Sequence, residues 1–271
     1  MTMLASWIAV DDHGPTSAYI VSDSRFSWTT TTNFDYGRKV FALKKYPELL
    51  GYAGDVLFPS IVLSQVIEMI DSEILLTDKM DCDMKHRIIA EKICYSLSKY
   101  PSSVLNDTIK ILHITRETNA VNYPVFKHYL LSYSKTKGWK DEEAPMPTQS
   151  GLLQVLGSGA KEFSDNYIKF QKSDNASTSR NVFHCFIKTL ERVKDPYCGG
   201  APQLVGLYRK PLSNGINYGI LYNRKRYLLG MEIPDKASFV NVEWRNERFE
   251  RCDGETKKIV SGAAKQPIGV V

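Results

Sequence analysis

Side chains alternate at the start of the chain. Leu4, Ser6, Ile8 and Val10 fall on one side of the pattern, and Ala5, Trp7 and Ala9 on the other. A polar stretch, DDHGPT, interrupts the alternation. Apolar residues resume at Ala18, Tyr19, Ile20 and Val21, just before the charged Asp23 and Arg25. A period of two broken by Asp, Gly and Pro predicts a β-hairpin over residues 2–23. A strand that opens at the second residue builds the chain start into a sheet and leaves no room for a signal peptide or flexible arm.

Further along, the period changes. Short apolar runs at 39–43 and 49–53 predict strands, the second closing at Gly54 and Asp55. Residues 55–76 carry Leu57, Ile61, Leu63, Val66, Ile67 and Ile70 at helical spacing, with Pro59 near the start, where a helix tolerates it. Residues 84–100 repeat the pattern and stop at Pro101, which predicts a helical hairpin. Strands are expected again at 108–115, 129–133 and 152–156, with an acidic, proline-containing loop at 141–149. Helices are expected at 160–171 and 180–193, separated by SDNASTS. Four more strands are expected at 204–208, 216–222, 226–229 and 239–243, ahead of a polar, basic tail over the last twenty residues. Strands, a helix pair, strands, a helix pair and strands predict an α+β sandwich with antiparallel sheets inside and helices outside. No linker or repeat divides residues 1–271, so one domain is expected, with residues 223–271 as a C-terminal extension.

Composition narrows the classes. The 271 residues are 43% hydrophobic and 24% charged, with a formal charge of +5, ordinary for a globular chain and too mild to require nucleic acid. No apolar run reaches membrane-spanning length. Five cysteines, Cys82, Cys94, Cys185, Cys198 and Cys252, have no paired spacing, which fits a reducing compartment and a cytoplasmic protein. His86 and His113 lie in regular segments and read as structural histidines, so neither a metal nor a cofactor is expected.

Candidate chemistry begins at Thr2. Removal of the initiator methionine before a small residue exposes a threonine with both a hydroxyl and a free α-amine. The amine has an ordinary pKa of about 8, so it can take the hydroxyl proton directly or through a water. Many chains begin Met-Thr, so the position by itself decides nothing. Lys39 opens an otherwise apolar strand. Facing inward beside Thr2, with Asp23 holding it, its ammonium favours an alkoxide; facing outward, it is a solvated strand end. Gly54, between strand and helix, offers either an N–H to an oxyanion or an ordinary turn. Gly157-Ser158-Gly159 and the turn at Asp195 place small polar groups at element ends.

Together these segments resemble the proteasome β-subunit family of N-terminal nucleophile hydrolases, including the bacterial proteasome-like proteases. Thr2-Met3-Leu4-Ala5 meets the family's N-terminal Thr-x-Leu-Ala, and Val21-Ser22-Asp23-Ser24-Arg25 its Ala-x-Asp-Ser-Arg. Lys39-Val40, the strand closing in Ala53-Gly54, Gly157-Ser158-Gly159 and Asp195-Pro196-Tyr197-Cys198-Gly199-Gly200 follow in the family's order. The ordered set spans roughly residues 2–222. The resemblance implies a four-layer αββα sandwich and a threonine-type peptidase or amidohydrolase. In it Thr2 is the nucleophile, Asp23 orients Lys39, Lys39 lowers the nucleophile's pKa, Gly54 supplies the oxyanion N–H, and Ser158 and Asp195 tune the amine. It also implies a peptide or protein substrate, a homo-oligomer such as a ring, and an ATP-dependent unfoldase as a partner of enclosed assemblies. The alternative is a noncatalytic structural or regulatory subunit on the same fold. Two departures stand out: Cys198 replaces the family's serine, a weaker hydrogen-bond donor or simply a small buried thiol, and the first turn is longer.

Overall fold

The computed structural model describes residues 2–105, 108–118, 123–210 and 213–264; Met1 and the tail residues 265–271 lie outside the described residues. The strands and helices follow in chain order. β1 (Leu4–Asp11) and β2 (Gly14–Ser22) form the first hairpin, and β3 (Phe26–Ser27) and β4 (Asn33–Phe34) a small second one. β5 (Val40–Ala42) and β6 (Glu48–Gly54) lead into α1 (Leu57–Asp71) and α2 (Cys82–Lys99). β7 (Thr108–Thr118), β8 (Pro124–Ser134), β9 (Gly138–Ala144) and β10 (Gly151–Leu156) precede α3 (Ala160–Phe170) and α4 (Ser179–Leu190). The chain ends in β11 (Gln203–Tyr208), β12 (Ile216–Tyr222), β13 (Lys225–Leu228), β14 (Met231–Glu232), β15 (Trp244–Asn246) and β16 (Arg251–Cys252).

Among the described residues, two large sheets stand face to face. One runs β10-β1-β2-β11-β12-β13-β14, with β15 and β16 joined to it through β12; the other runs β5-β6-β7-β8-β9. All pairings are antiparallel except β12 with β15, which is parallel. The alternation read in the sequence sorts the core. Leu4 and Ile8 point between the sheets, with Ile20, Leu49, Leu112 and Val205. Met3, Ala5 and Trp7 point the other way, into α3 and α4 beside Phe163, Phe183 and Phe186. Trp7 is wholly buried and stacks on Tyr19 at 5.1 Å, a pair worth about 0.5–1.5 kcal/mol beyond its burial. α1 and α2 cover the outer face of the five-stranded sheet through Phe58, Val66, Ile89 and Ile93. The result is four layers, αββα.

Local chemistry fixes the helix ends. Asp55 Oδ1 accepts the Phe58 N–H at 3.0 Å, so α1 starts at its own capping carboxylate. Asp81 Oδ1 accepts the Met84 N–H at 2.7 Å and Thr178 Oγ1 the Asn181 N–H at 3.2 Å, which caps α2 and α4. α2 stops where Tyr100 turns extended before Pro101, as the residue before a proline must.

Two sequence expectations change. The acidic stretch read as a loop from 141 is, through Ala144, part of β9, the edge of the five-stranded sheet. An edge strand leaves one side in water, so Asp141, Glu142 and Glu143 are tolerated there and guard the edge. The strand expected at 239–243 is a turn instead, closed by Val242 N–H to Phe239 O and preceded by a turn closed by Ala237 N–H to Pro234 O. Val240 is 90% exposed, and the strand begins only at Trp244. Residues 225–264 also pack on the body: β13 extends the sheet from β12, and Phe239, Trp244 and Cys252 form a small core.

Candidate active site

The start of β1 is held from both sides. The Thr2 carbonyl accepts the Gly159 N–H at 3.1 Å, and the Met3 carbonyl accepts the Asp23 N–H at 3.1 Å. Gly157 has φ +95°, and a Cβ there would lie 1.9 Å from Thr2 O. Glycine is therefore required where the 157–159 turn crosses the chain start. This crossing brings Ser158 Oγ to 3.3 Å from the Thr2 nitrogen, which donates to it. Thr2 itself is buried, at 1% exposure.

Asp23, at the end of β2, is the centre of the arrangement. Its Oδ1 accepts the Lys39 ammonium at 2.8 Å and the Met3 N–H at 3.0 Å. Its Oδ2 accepts the Gly199 N–H at 3.0 Å and the Arg25 N–H at 3.2 Å. Asp23 and Lys39 are both wholly buried. A buried carboxylate met by an ammonium and three backbone donors stays satisfied without water. One oxygen shared between Lys39 and the Met3 N–H sets the ammonium beside the Thr2–Met3 peptide, just ahead of β1. Lys39 thus faces inward.

The turn after α4 closes the other side. Asp195 accepts the Tyr197 N–H at 3.0 Å and the Cys198 thiol at 3.4 Å. Ser158 Oγ lies 3.9 Å from Cys198 Sγ. Burial pushes the Asp195 carboxyl up, but hydrogen bonds from Ser158, Tyr197 and Cys198 outweigh it, and the net shift is downward. Burial, with Asp23 and Asp195 nearby, pushes the Cys198 thiol well up, so it is a neutral donor rather than a nucleophile.

The structure therefore brings Thr2, Asp23, Lys39, Ser158, Asp195 and Cys198 into one hydrogen-bonded cluster. Asp195 joins it through Ser158 and Cys198. Gly54 lies at the end of β6 with φ +100°, where a Cβ would lie 2.4 Å from Thr108 O, so the position needs glycine for its turn. Among the described residues, no group of His, Cys, Asp or Glu has the geometry to hold a metal ion. No helix among them is long and apolar enough to cross a membrane.

No protein-family model matches the chain, and no curated protein matches it in sequence. Solved structures do match it. Anbu (ancestral β-subunit) from Yersinia bercovieri superposes with a TM-score of 0.54 at 10% identity, over 84% of this chain and 87% of that one. The helical assembly of the Anbu complex from Pseudomonas aeruginosa gives 0.53 at 13%, over 87% and 88%. The Anbu (Gly-1) mutant from Hyphomicrobium sp. strain MC1 gives 0.52 at 11%, over 80% and 86%. The fold is that of the N-terminal nucleophile hydrolases. These neighbours are proteasome-β-subunit-like Anbu proteins rather than proteasome β-subunits, and at such identities the likeness is one of fold.

Within this N-terminal nucleophile fold, two sets of supporting contacts do not follow from the sequence. Arg25 pairs with Asp35 at 2.7 and 2.8 Å and donates to Pro196 O at 3.1 Å, which ties the β3–β4 hairpin to the Asp195 turn. Arg25 was visible beside Asp23; Asp35 had no signal. Gln203, a polar residue opening the apolar strand β11, carries the same kind of signal as Lys39.

Proposed function

We propose that the chain is a threonine-type peptidase or amidohydrolase that works through an acyl-enzyme on Thr2. The observation that carries this reading is the wholly buried Lys39–Asp23 pair bonded beside the Thr2–Met3 peptide. Removal of Met1 turns the Thr2 nitrogen into an amine, already next to Ser158. The amine takes the Thr2 hydroxyl proton as Oγ adds to a peptide or amide carbonyl, and the Lys39 ammonium stabilises the developing alkoxide. The Gly54 N–H receives the oxyanion. Collapse expels the amine half of the substrate, which carries away the transferred proton and leaves an ester on Thr2. Water activated by the same α-amine adds to that ester, releases the acid and regenerates the hydroxyl. Asp195, Ser158 and Cys198 orient the amine; Cys198 does so with a weaker donor than a hydroxyl.

We also propose a homo-oligomer, because the Pseudomonas aeruginosa Anbu neighbour is described as a helical assembly. Light scattering separates a ring, a helix and a small oligomer. An enclosed form would need an ATP-dependent unfoldase to pass it folded protein. The activity itself is tested by turnover of fluorogenic peptide amides. Cleavage by the Met1-processed chain and its loss in Thr2→Ala support the reading. Equal cleavage by Thr2→Ala removes Thr2 as nucleophile, and a chain that cleaves and binds nothing at Thr2 is a noncatalytic subunit on the same fold.

A further inference from the structure

We infer that Gln203 is a positioning residue that fixes the Lys39–Asp23 pair by clamping both main chains with one amide; this rests on the function proposed above. Gln203 is the first residue of β11, paired with Ser22 at the end of β2, and is wholly buried. Its Nε2 donates to the carbonyl of Asp23 at 3.0 Å and to that of Gly37 at 2.7 Å. Its Oε1 accepts the N–H of Lys39 at 3.0 Å. All three bonds therefore go to the segments that carry the buried pair. Two carbonyls and one N–H also fix which way the amide faces, since only the NH₂ side can serve both carbonyls.

The demand is specific to this side chain. Two acceptors and one donor converge on a single point, and only a primary amide supplies two donors and an acceptor together. An ionised glutamate faces two carbonyl oxygens with no proton to offer. A methionine fills the space and bonds nothing, and asparagine is one methylene short. The β13–β14 turn closes over the clamp. Gly230, with φ +87°, sits where a Cβ would lie 2.6 Å from Ser24 Cβ and 3.5 Å from Gln203 Nε2. The chain beyond residue 223 is thus part of the support of the site.

Lys39 is the residue this support serves. Its ammonium reaches Asp23 along a flexible four-carbon stem, so the placement of its main chain helps to set where the ammonium goes. Holding the Asp23 carbonyl, the Gly37 carbonyl and the Lys39 N–H from one point sets the distance between the two residues before the side chains meet. A displacement of about 1 Å at such a group lowers reaction rates by about 10²-fold.

The test compares wild type with Gln203→Met and Gln203→Glu, in the Met1-processed full chain, with folding checked by thermal melting. Inactivation by a peptide epoxyketone is resolved into its maximal rate and its half-saturation concentration from pH 5.5 to 9. ¹⁵N NMR of the Lys39 ammonium follows the protection of its protons in the same samples. Expected for Gln203→Met is an about 10²-fold lower maximal rate, little change in half-saturation, an upward shift of the pH midpoint, and loss of ammonium protection. A folded Gln203→Met with wild-type rate, midpoint and protection overturns the inference. Should Gln203→Met not fold, Gln203→Glu decides: protonation restores one donor, so its rate and ammonium protection relative to wild type rise as pH falls, and a flat ratio overturns the inference. A wild type that takes no label removes the proposed activity, and ammonium protection alone then decides the role of Gln203.

Discussion

Among the described residues, two buried lysine–carboxylate pairs differ in what surrounds them. In the first, Lys39–Asp23, the carboxylate takes three backbone N–H groups from separate segments besides the ammonium. In the second, under α2, Lys85 Nζ meets Glu48 Oε1 at 3.0 Å and the Arg116 carbonyl at 3.1 Å. His113 Nε2 reaches Glu48 Oε2 at 2.8 Å. His113 Nδ1 meets His86 Nδ1 at 3.0 Å, and His86 Nε2 reaches Asp141 at 2.9 Å. Side chains build this second network, and it pins a helix to a sheet. Main-chain donors fix the first, and it lies against the chain start and a set of small polar groups. A buried ion pair is therefore no mark of an active site by itself. Rigid backbone donors beside the proposed nucleophile make the difference.

The comparison breaks most visibly at the two lysines. Lys39→Met is expected to lower the rate of Thr2 modification by about 10²–10⁴-fold. Its effect on stability is smaller, because Asp23 keeps three N–H donors. Lys85→Met is expected to do the reverse. It strands Glu48 with His113 as its remaining partner, lowers stability by about 3–5 kcal/mol in a urea titration, and leaves the modification rate of the folded fraction unchanged. Equal loss of rate in both variants would merge the two regions into one.

Acid sharpens the comparison next. Burial, with His113 nearby, lowers His86 to about 4, and the same causes lower His128 to about 4. Both folded values lie below the unfolded value of about 6.5, so the unfolded chain takes protons first. Stability therefore falls as pH drops from about 6.5 to about 4, at up to about 1.4 kcal/mol per pH unit for each histidine. Asp195 is lowered, so its contribution is kept until pH falls into the ordinary carboxylate range and is then lost progressively below it. Hydrogen exchange at pH 5 should thus rise first in α2 and β8, where His86 and His128 lie, and later around the Asp195 turn.

The smallest expected effect is at Cys198. Cys198→Ser restores a stronger donor beside Asp195 and Ser158 and should raise the modification rate by about two- to tenfold, with a melting shift of a few degrees at most. Unmodified Cys198 should resist iodoacetamide at pH 7, because its buried thiol stays protonated.

Much of this was legible in the chain, for physical reasons that also mark the limits. The period of two in β1 sends Leu4 and Ile8 to one core and Trp7 to the other because each strand face meets a different layer. Lys39, a charge heading an apolar strand, left an inward pair and a solvated strand end both open on spacing, and it was the family resemblance that paired it with Asp23. Gln203 also heads an apolar strand, but its role was hidden because its three partners lie 164 to 180 residues away in sequence. β9 was hidden because its charges suit an edge, which local composition does not distinguish from a loop. Residues 239–243 misled in the opposite sense: Phe239 and Val240 look like a strand, yet Val240 faces solvent.

The central claim is that Thr2, freed of Met1 and set beside the Lys39–Asp23 pair, is the nucleophile. Intact mass measurement before and after treatment with a peptide epoxyketone tests it most directly. The account predicts a mass short by one methionine and a single adduct that maps to Thr2 and disappears in Thr2→Ala. A homogeneous chain that retains Met1 and gains no adduct contradicts it.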